Sequence, residues 1–260
     1  MKRVLTTIVA GGMLLSVSAG LADSHEAKTD EANYARPVET FSCRYNEGKG
    51  PADLDAVVKK FNAWGDKQGI DNYWAWTMVP YYFSPAQEFD LLWMGASPDA
   101  KTLGKVQDQW LASGGKVQDS FNEVLTCDAH SNAAVLQMKE SPERADPSRA
   151  VVSFSDCKMA DGVTFDDMYP ALAEWSKYIT EQGSKSGMFV FFPAYGGGGE
   201  KFDFKWVNSH QNLEEMGEDW DNYSQTGWEK ANELFAGKLD CDSARAYLST
   251  TRRMPKGDDE

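Results

Sequence analysis

Two aspartates occupy the same place in a short motif that occurs twice in the chain. The motif reads FDLLW at residues 89–93 and FDFKW at residues 202–206, 113 residues later. Each copy therefore supplies one carboxylate, Asp90 in the first and Asp203 in the second. Burial near apolar side chains and near another carboxylate raises the pKa of such a group, which suits it to accept a proton. We take both as candidate catalytic bases.

The alternation of a β-strand assigns the side chains of this motif to two faces. Asp90 and Asp203 are expected on the face turned towards the interior of the fold, opposite an apolar face that packs beneath helices. The side chains expected on that apolar face are Phe89, Leu91, Trp93, Phe202, Phe204 and Trp206. A structural role is the alternative, because an aspartate near a strand end often caps a backbone amide. Asp203 could also pair with Lys205.

Aromatic side chains concentrate in two other segments, residues 73–82 and 188–195. Nearly every position there is apolar, which predicts strands that are covered on both faces. Aromatic residues make up 12% of the chain, so we expect some of them to pack in the core and others to line a cavity for a flat or apolar ligand. The predicted ligand-binding residues are Trp74, Trp76, Tyr82, Phe189, Phe191, Tyr195 and Lys205.

Familiar catalytic and metal-binding patterns are missing from the sequence. It contains no Ser/His/Asp order typical of hydrolases, no HExxH motif and no closely spaced metal ligands. His130 and His210 do not match between the two copies, and His210 is expected to be an exposed residue at a helix start. We therefore predict neither a metal nor a cofactor.

The amino terminus is typical of a secretory signal peptide. A basic start is followed by an apolar run that is too short to span a membrane and then by small residues, which places the signal peptide at residues 1–22. Its removal takes away two positive charges and moves the formal net charge from −14 to −16. Such a charge repels phosphate backbones, so no nucleic-acid partner is predicted. A periplasmic or extracellular protein without stable membrane insertion is expected.

Four cysteines follow the predicted signal peptide, and an even number in that setting indicates disulfides. Cys43 and Cys127 are separated by the same 84 residues as Cys157 and Cys241. We predict these two pairs, one within each copy. Pairing between the copies is the alternative.

The repeat organises almost the whole mature chain. Each copy reads strand, helix, strand, strand, helix, strand, with the first at residues 38–139 and the second at residues 150–254. A polar leader at residues 23–37 is predicted to be disordered, a proline-containing linker spans residues 140–149, and residues 255–260 form a tail.

This element order is the split βαβ, or ferredoxin-like, order, and its duplication resembles the dimeric α/β-barrel superfamily. The resemblance implies an α+β fold in which two tandem ferredoxin-like (βαββαβ) repeats form a pseudo-dimeric α/β barrel. Relatives that use haem generally hold it through a histidine or a similar ligand. The resemblance covers nearly all the mature chain and rests on element order alone.

Two functions are weighed on these grounds. The absence of a catalytic pattern favours a secreted, non-catalytic protein that binds a small apolar or aromatic ligand, or a protein partner, between its halves. The alternative is a cofactor-independent oxygenase or isomerase acting on an aromatic or apolar compound. In that case Asp90 or Asp203 is the base, and Trp76 or Tyr82 stacks on the substrate. The oligomeric state is not predicted.

Overall fold

The computed structural model describes residues 35–142 and 145–255. The predicted signal peptide and most of the predicted leader lie outside these residues, as does nearly all of the tail. Residues Arg36 and Pro37, predicted to belong to the leader, instead form the start of the first strand. Among the described residues, none of the helices combines the length and the apolar character needed to cross a bilayer.

The first half of the chain contains four strands and three helices. Its elements are β1 (Arg36–Tyr45), α1 (Pro51–Gln68), β2 (Trp74–Tyr82), β3 (Leu91–Ala96), α2 (Ala100–Ser113), α3 (Gly115–Asn122) and β4 (Leu125–Lys139).

The second half repeats this order with small additions. Its elements are β5 (Arg149–Met159), α4 (Phe165–Glu181), β6 (Gly187–Tyr195), β7 (Phe204–His210), α5 (Leu213–Asn222), a π-helical turn (Tyr223–Gly227), α6 (Trp228–Phe235), β8 (Leu239–Cys241) and β9 (Arg245–Arg253).

Eight of the strands close into one antiparallel barrel. The strand order is β7-β6-β4-β1-β3-β2-β9-β5-β8, and β7 also pairs with β5, which completes the ring. β8 pairs with β5 beyond the ring. Closure satisfies the backbone hydrogen-bonding groups along every barrel strand and leaves no free sheet edge. The predicted mixed α+β barrel is therefore confirmed.

Side chains alternate between the barrel interior and its outer wall, and this creates three apolar clusters. One lies between the outer wall of the first half and α1, α2 and α3, and it includes Leu91 and Trp93. A second fills part of the barrel interior. The third lies between the outer wall of the second half and its helices, and it includes Phe204 and Trp206. The predicted apolar face is thus confirmed for these four residues.

The repeated motif starts earlier than the strands to which it was assigned. β3 begins at Leu91 and β7 at Phe204, so the two preceding residues of each motif lie outside the strands. The prediction that Phe89 packs beneath helices is wrong. Its ring instead lies in the barrel interior, with its centroid 6.3 Å from that of Tyr247. Leaving the strand at this point frees Phe89 from the alternation that was used to place it.

The start of α2 is stabilised by the side chain of the residue that precedes it. The cap is Asp99, whose carboxylate accepts a hydrogen bond from the Thr102 backbone N–H at 2.8 Å. Pro98 therefore precedes the helix. In the second half the corresponding cap is Asn212, which accepts a hydrogen bond from the Glu215 N–H.

The two predicted disulfides are confirmed. Cys43 on β1 bonds Cys127 on β4, and Cys157 on β5 bonds Cys241 on β8, each over 84 residues of sequence. Both join residues that lie directly opposite each other on neighbouring strands. Two such bonds fit an oxidising extracellular or periplasmic compartment.

The last strand of each half ends on a buried cation that reaches into the other half. Lys139, at the end of β4, donates from Nζ to the carbonyl oxygens of Ser184 at 2.9 Å and Ser186 at 2.5 Å. Arg253, at the end of β9, donates to the carbonyl oxygen of Ile70. These reciprocal bonds satisfy buried carbonyl groups in the loops that precede β6 and β2.

Replacing Arg253 with methionine should destabilise the fold by about 3 kcal/mol, because it leaves the buried carbonyl oxygen of Ile70 without its donor. Urea unfolding measures this loss. Arg44→Met is the matched control, since Arg44 pairs with Asp128 where both side chains are 49% exposed. The control should cost less than about 1 kcal/mol. Equal losses for the two variants would contradict the role given to Arg253.

Candidate active site

Two cavities stand out among the described residues. The first, which we call the helical pocket, has a volume of about 570 Å³ and lies between the outer wall of the second half and the helices that cover it. The second, which we call the barrel cavity, has a volume of about 750 Å³ and lies inside the barrel. Both volumes are within the range of small-molecule sites in proteins.

The floor of the helical pocket is a row of small and polar side chains. Ala246, Ser153 and Asn208 lie opposite one another on β9, β5 and β7 and all line the pocket. The Trp206 indole N–H donates to the Asn208 Oδ1 at 3.1 Å and holds that amide in place. Short side chains here leave space above the sheet that the covering helices do not fill.

The walls of the helical pocket are mainly aromatic. Trp175 and Tyr178 extend from α4, with their rings stacked and their centroids 5.5 Å apart. Trp220 and Tyr223 close the opposite side, and both are exposed to solvent, which places them at the mouth. Tyr82 reaches the pocket from β2 of the first half. Such walls suit a flat, largely apolar molecule.

The corresponding place in the first half is filled. Strand pairing shows which residues of the two halves correspond. In the first half Ala75 lies opposite Gly95, and in the second half Met188 lies opposite Asn208. Asn208 therefore corresponds to Gly95. The Tyr73 hydroxyl is 1.9 Å from where a β-carbon on Gly95 would stand. The same hydroxyl donates to Glu39 Oε1 at 2.7 Å.

Three substitutions between matched positions therefore open the helical pocket. Ser186 stands where the first half has Tyr73, Ser153 stands where it has Glu39, and Asn208 stands where it has Gly95. Removing the tyrosine ring vacates the space over the sheet. The second half thus contains a cavity at the position where the first half has packed core.

A polar cluster lies at one side of the helical pocket. The Asp219 Oδ2 accepts a hydrogen bond from the Ser184 hydroxyl at 2.8 Å and lies 3.1 Å from His210 Nε2. The Ser184 and Ser186 hydroxyl oxygens are 2.8 Å apart. Both of these contacts to Asp219 end on Oδ2, and the Ser186 side chain also contributes a hydrogen bond to the same carboxyl.

The Asp219 carboxyl is held in its ionised form. Burial alone would raise its pKa, but the hydrogen bonds with His210 and Ser184 outweigh burial and lower the pKa below its usual value of 3.8. The pocket therefore presents a carboxylate at neutral pH, surrounded by aromatic side chains.

Lys139 supports this cluster from behind. Its bonds to the Ser184 and Ser186 carbonyl oxygens fix the loop that carries both hydroxyls. Burial lowers the pKa of Lys139, while the nearby Asp219 and Glu215 act in the opposite direction. The ammonium group thus offsets part of the negative charge that the cluster concentrates.

His210 is buried, which corrects the prediction of an exposed histidine at a helix start. It is the last residue of β7, is 4% exposed and points to the outer wall. β7 extends further than predicted, so the helix begins at Leu213 instead. Its Nδ1 is buried without a hydrogen-bond partner among the described residues.

Four of the predicted ligand-binding residues meet around the barrel cavity. Trp74, Trp76, Phe189 and Phe191 all line it. The other three lie elsewhere. Tyr82 lines the helical pocket, Tyr195 is 78% exposed, and Lys205 pairs with Asp156 rather than with Asp203. Ligand binding by these residues stays a prediction.

The candidate bases Asp90 and Asp203 have matching positions in the two halves. Asp90 Oδ2 accepts the Tyr45 backbone N–H at 2.8 Å, and Asp203 Oδ2 accepts the Met159 backbone N–H at 2.7 Å. These are the backbone caps that the structural alternative describes. Neither residue lines either cavity. A catalytic role for them stays a prediction.

The resemblance to haem-using barrels raises the question of whether the residues present could hold haem. The His130 Nε2 is 3.0 Å from Glu39 Oε2, and its ring stacks on Phe41. The His210 Nε2 faces Asp219, and its Nδ1 is covered by protein. In the described part of the chain, neither histidine offers a ring nitrogen to iron in a cavity, and no group of three metal-ligating side chains occurs. These residues do not fit haem.

No sequence pattern indicated Ser184, Ser186 or Asp219 as site residues. All three are ordinary polar residues without a catalytic motif around them. One feature of the sequence does indicate the pocket. When the two copies are aligned, the aromatic Tyr73 of the first corresponds to the small Ser186 of the second. A difference of this kind between otherwise similar strands predicts a cavity in the second half.

Comparison with solved structures finds the same fold in distant proteins. A variant chlorite dismutase from Candidatus Nitrospira defluvii has a TM-score of 0.51 and 9% identity, covering 84% of this chain and 92% of that one. A Lactobacillus acidophilus protein named as a monooxygenase has a TM-score of 0.56 and 7% identity, covering 86% and 97%. No protein-family model matches the chain. No curated protein matches it significantly in sequence.

At these identities the likeness shows the fold alone, a dimeric α/β barrel of the chlorite dismutase kind. It nevertheless contradicts our prediction of a non-catalytic binding protein. The two solved structures described above are named for a dismutase and a monooxygenase, and these names favour the enzyme alternative. The absence of a familiar motif was the wrong criterion, because function depends on sites built within a fold and not on linear patterns.

The ionised form of Asp219 should stabilise the fold above its usual pKa. Because the folded-state pKa lies below 3.8, this stability is fully present above that value and is lost as the pH falls through the folded-state pKa. The free energies of unfolding of the native protein and of Asp219→Asn, measured by chemical denaturation, should therefore differ most above about pH 5. The difference should shrink as the pH falls below 3.8.

The variant Ser184→Ala tests the cause of this dependence. Removing one hydrogen bond to Asp219 should raise the pKa of its carboxyl towards the usual value, so that the loss of stability on acidification is smaller and is complete at a higher pH. If the difference in free energy of unfolding between the native protein and Asp219→Asn stays constant with pH, the lowered pKa assigned to Asp219 is wrong.

Proposed function

We propose that this protein is an enzyme that removes a proton from a small, flat, largely apolar molecule bound in the helical pocket. A base is what the alternative of a cofactor-independent oxygenase or isomerase requires. The single observation that carries the proposal is the replacement of the Tyr73 ring by Ser186 at the matched position, which gives the second half an aromatic pocket beside an ionised Asp219.

Asp219 is the proposed proton acceptor. Its carboxylate is held by His210 and Ser184 through Oδ2, and we assign to Oδ1 the hydrogen bond from a hydroxyl group of the bound molecule. A ligand that fills the pocket displaces water from the carboxylate, and this desolvation raises its pKa. The group thereby becomes a stronger base when the substrate is present.

The reaction follows from one proton transfer. A proton leaves an acidic O–H or C–H bond of the substrate and forms an O–H bond on Asp219, while the electron pair stays on the substrate as an enolate or a phenolate. In an isomerisation, the proton returns to a different carbon atom, so atoms and electrons balance without another reactant. In an oxygenation, dioxygen is the oxidant: one of its atoms forms a carbonyl group on the substrate, and the other leaves as water together with the two hydrogens that the substrate loses.

His210 and Ser184 are positioning residues in this scheme. Their bonds to Asp219 fix its carboxylate and spread the negative charge, which lowers the cost of burying it. Trp175 and Tyr178 supply the apolar surface on which the flat part of the substrate stacks. The neighbouring Tyr82, predicted to stack on a substrate, lies at the same pocket.

The names of the similar solved structures support an enzyme. One is a chlorite dismutase and another is named as a monooxygenase, and both share this fold over more than four-fifths of the chain. The two histidines described above do not fit haem, so the proposal uses only the side chains of this chain.

We also infer that the barrel arose from two ferredoxin-like repeats at residues 38–139 and 150–254, followed by a tail at residues 255–260. The strand order β4-β1-β3-β2 in the first half and β9-β5-β7-β6 in the second supports this inference. So do the two disulfides with equal spacing. Divergence after duplication then accounts for one filled half and one open half.

We infer that residues 1–22 are a cleaved signal peptide and that the enzyme works in the periplasm or outside the cell. The two disulfides and the strongly acidic composition support this location. Amino-terminal sequencing of the secreted protein tests the cleavage point, which the inference places after Ala22.

The proposal is tested with a panel of hydroxyaromatic and enolisable compounds incubated with the native protein under air and under nitrogen. Conversion is followed by absorbance and mass spectrometry. Asp219→Asn should lower kcat by at least about a hundredfold, because it removes the proton acceptor. Asp221→Asn is the matched control, since it removes an exposed carboxylate two residues further along the same segment.

The double variant Ser186→Tyr/Asn208→Gly provides the second arm. It restores the pair of residues found in the first half, where the tyrosine hydroxyl needs a glycine opposite it, and should fill the helical pocket, so that substrate binding and turnover are both lost while the fold is kept. Asp90→Asn and Asp203→Asn test the earlier candidates in the same assay. Loss of turnover in either of them with full activity in Asp219→Asn would overturn the proposal, as would activity in the double variant.

A further inference from the structure

The barrel cavity is closed at one end by aromatic side chains. The Phe154 ring packs edge-on against Phe191 at 5.8 Å between centroids and against Tyr247 at 5.6 Å. Phe89 stacks on the other side of Tyr247. All four belong to the interior cluster, and they fill the cross-section of the barrel near that end. The cavity therefore begins above this aromatic layer and opens only towards the opposite end.

The wall above the aromatic layer is mainly apolar, and Gln137, Ser209 and Ser249 also line it. The two halves contribute matched apolar pairs there, Val38 with Val152, Met94 with Val207 and Trp76 with Phe189. Strand alternation turns all six side chains inwards. The ring of strands bounds this cavity of about 750 Å³ laterally, so a ligand extends along the barrel axis. An aliphatic chain can follow that direction in contact with the apolar side chains.

The open end carries one cation on one side only. Arg36, at the start of β1, lines the cavity and forms no ion pair within the part of the chain that the structure describes. Its match in the second half is Ala150, which has no charge. The neighbouring Lys139 turns its ammonium group to the Ser184 and Ser186 carbonyl oxygens, so Arg36 is the cation left for a ligand.

A second polar group faces the same end. Ser97 lines the cavity and is 1% exposed, and its hydroxyl has no hydrogen-bond partner among the described residues. A buried polar atom without a partner is costly unless a bound molecule satisfies it. Val38 lies opposite Ala96, so the residues that precede Val38 run alongside Ser97. Arg36 and Ser97 thus border the same part of the mouth.

From these observations we propose that the barrel cavity is a second binding site, specific for an elongated aliphatic carboxylate. The aliphatic chain lies along the apolar walls, and the carboxylate lies at the mouth between the Arg36 guanidinium and the Ser97 hydroxyl. A charge-assisted bond from arginine and a hydroxyl donor together match the two oxygens of a carboxylate. Glu140, which also lines the mouth, repels a carboxylate and confines it to the side where Arg36 stands.

This site is independent of the proposed active site. The barrel wall separates the two cavities, because Ser209 on β7 faces the barrel cavity while its neighbours Asn208 and His210 face the helical pocket. A molecule in one cavity therefore does not touch a molecule in the other. Ligand binding in the barrel cavity therefore does not depend on the catalytic role proposed for Asp219.

The test compares dodecanoate with dodecanol, which share the aliphatic chain and differ in the head group. Binding is measured by calorimetry and by quenching of tryptophan fluorescence, to which Trp74 and Trp76 contribute. We expect the native protein to bind the carboxylate at least about tenfold more tightly than the alcohol. Arg36→Ala should remove this preference and leave the affinity for the alcohol unchanged.

A second set of variants locates the ligand. Ala96→Phe and Phe189→Trp both add bulk to the barrel cavity and should weaken dodecanoate binding at least about tenfold. Val79→Phe adds bulk at an exposed position of β2 and serves as the control. Thermal unfolding checks that each variant is folded, and Phe189→Trp keeps the test available if Ala96→Phe is not.

Failure to bind either compound, equal affinity of the native protein for both, or unchanged binding in the folded bulky variants would each overturn the proposal. The double variant Ser186→Tyr/Asn208→Gly separates it from the proposed activity. That variant fills the helical pocket and should leave dodecanoate binding intact. If dodecanoate binding were lost there, the ligand would lie in the helical pocket and the barrel site would be refuted.

Discussion

Closure of the strand ring is the constraint on which the rest of this structure depends. Each barrel strand must pair on both sides, so the seams β4–β6 and β2–β9 tie the two halves together as firmly as the pairs within each half. Closure also fixes the register, and register fixes which side chains point inwards and which point out. The inward set forms the barrel interior, and the outward sets form two separate helix-covered cores. The protein consequently has three compartments in which a cavity could form.

Matched positions in the two halves show how a core becomes a pocket. In the first half, Glu39 is 6% exposed and is satisfied by Tyr73, Gln107 and His130. Burial raises the pKa of Glu39, but these hydrogen bonds outweigh it and lower the pKa overall. The tyrosine ring that makes this possible also fills the space over Gly95. Ser186 at the matched position of the second half removes the ring, and the backbone is held by barrel closure and cannot collapse into the vacancy.

In the second half the polar side chains lie along one side of the helical pocket and do not fill it. Asp219, His210 and Ser184 form one hydrogen-bonded cluster, and Lys139 fixes the loop behind it. Buried polar groups are tolerated when their hydrogen bonds are made, and the groups left incomplete are those a ligand can complete. A rigid barrel with a partly satisfied cluster at the edge of an aromatic pocket is a favourable support for catalysis, because the carboxylate is held in place before the substrate arrives.

The sequence alone determined the element order, the disulfide pairs and the inward or outward direction of most strand residues. These features depend on local periodicity and on repeated spacing, which a linear sequence records. Only the tertiary structure decided that His210 is buried, that Phe89 leaves its strand to join the barrel interior, and that Asp90 and Asp203 cap backbone amides away from both cavities. It also brought Ser184, His210 and Asp219 together from a loop, a strand and a helix. Cavities and clusters of this kind depend on which side chain fills a given space, and that is set by packing between segments distant in sequence.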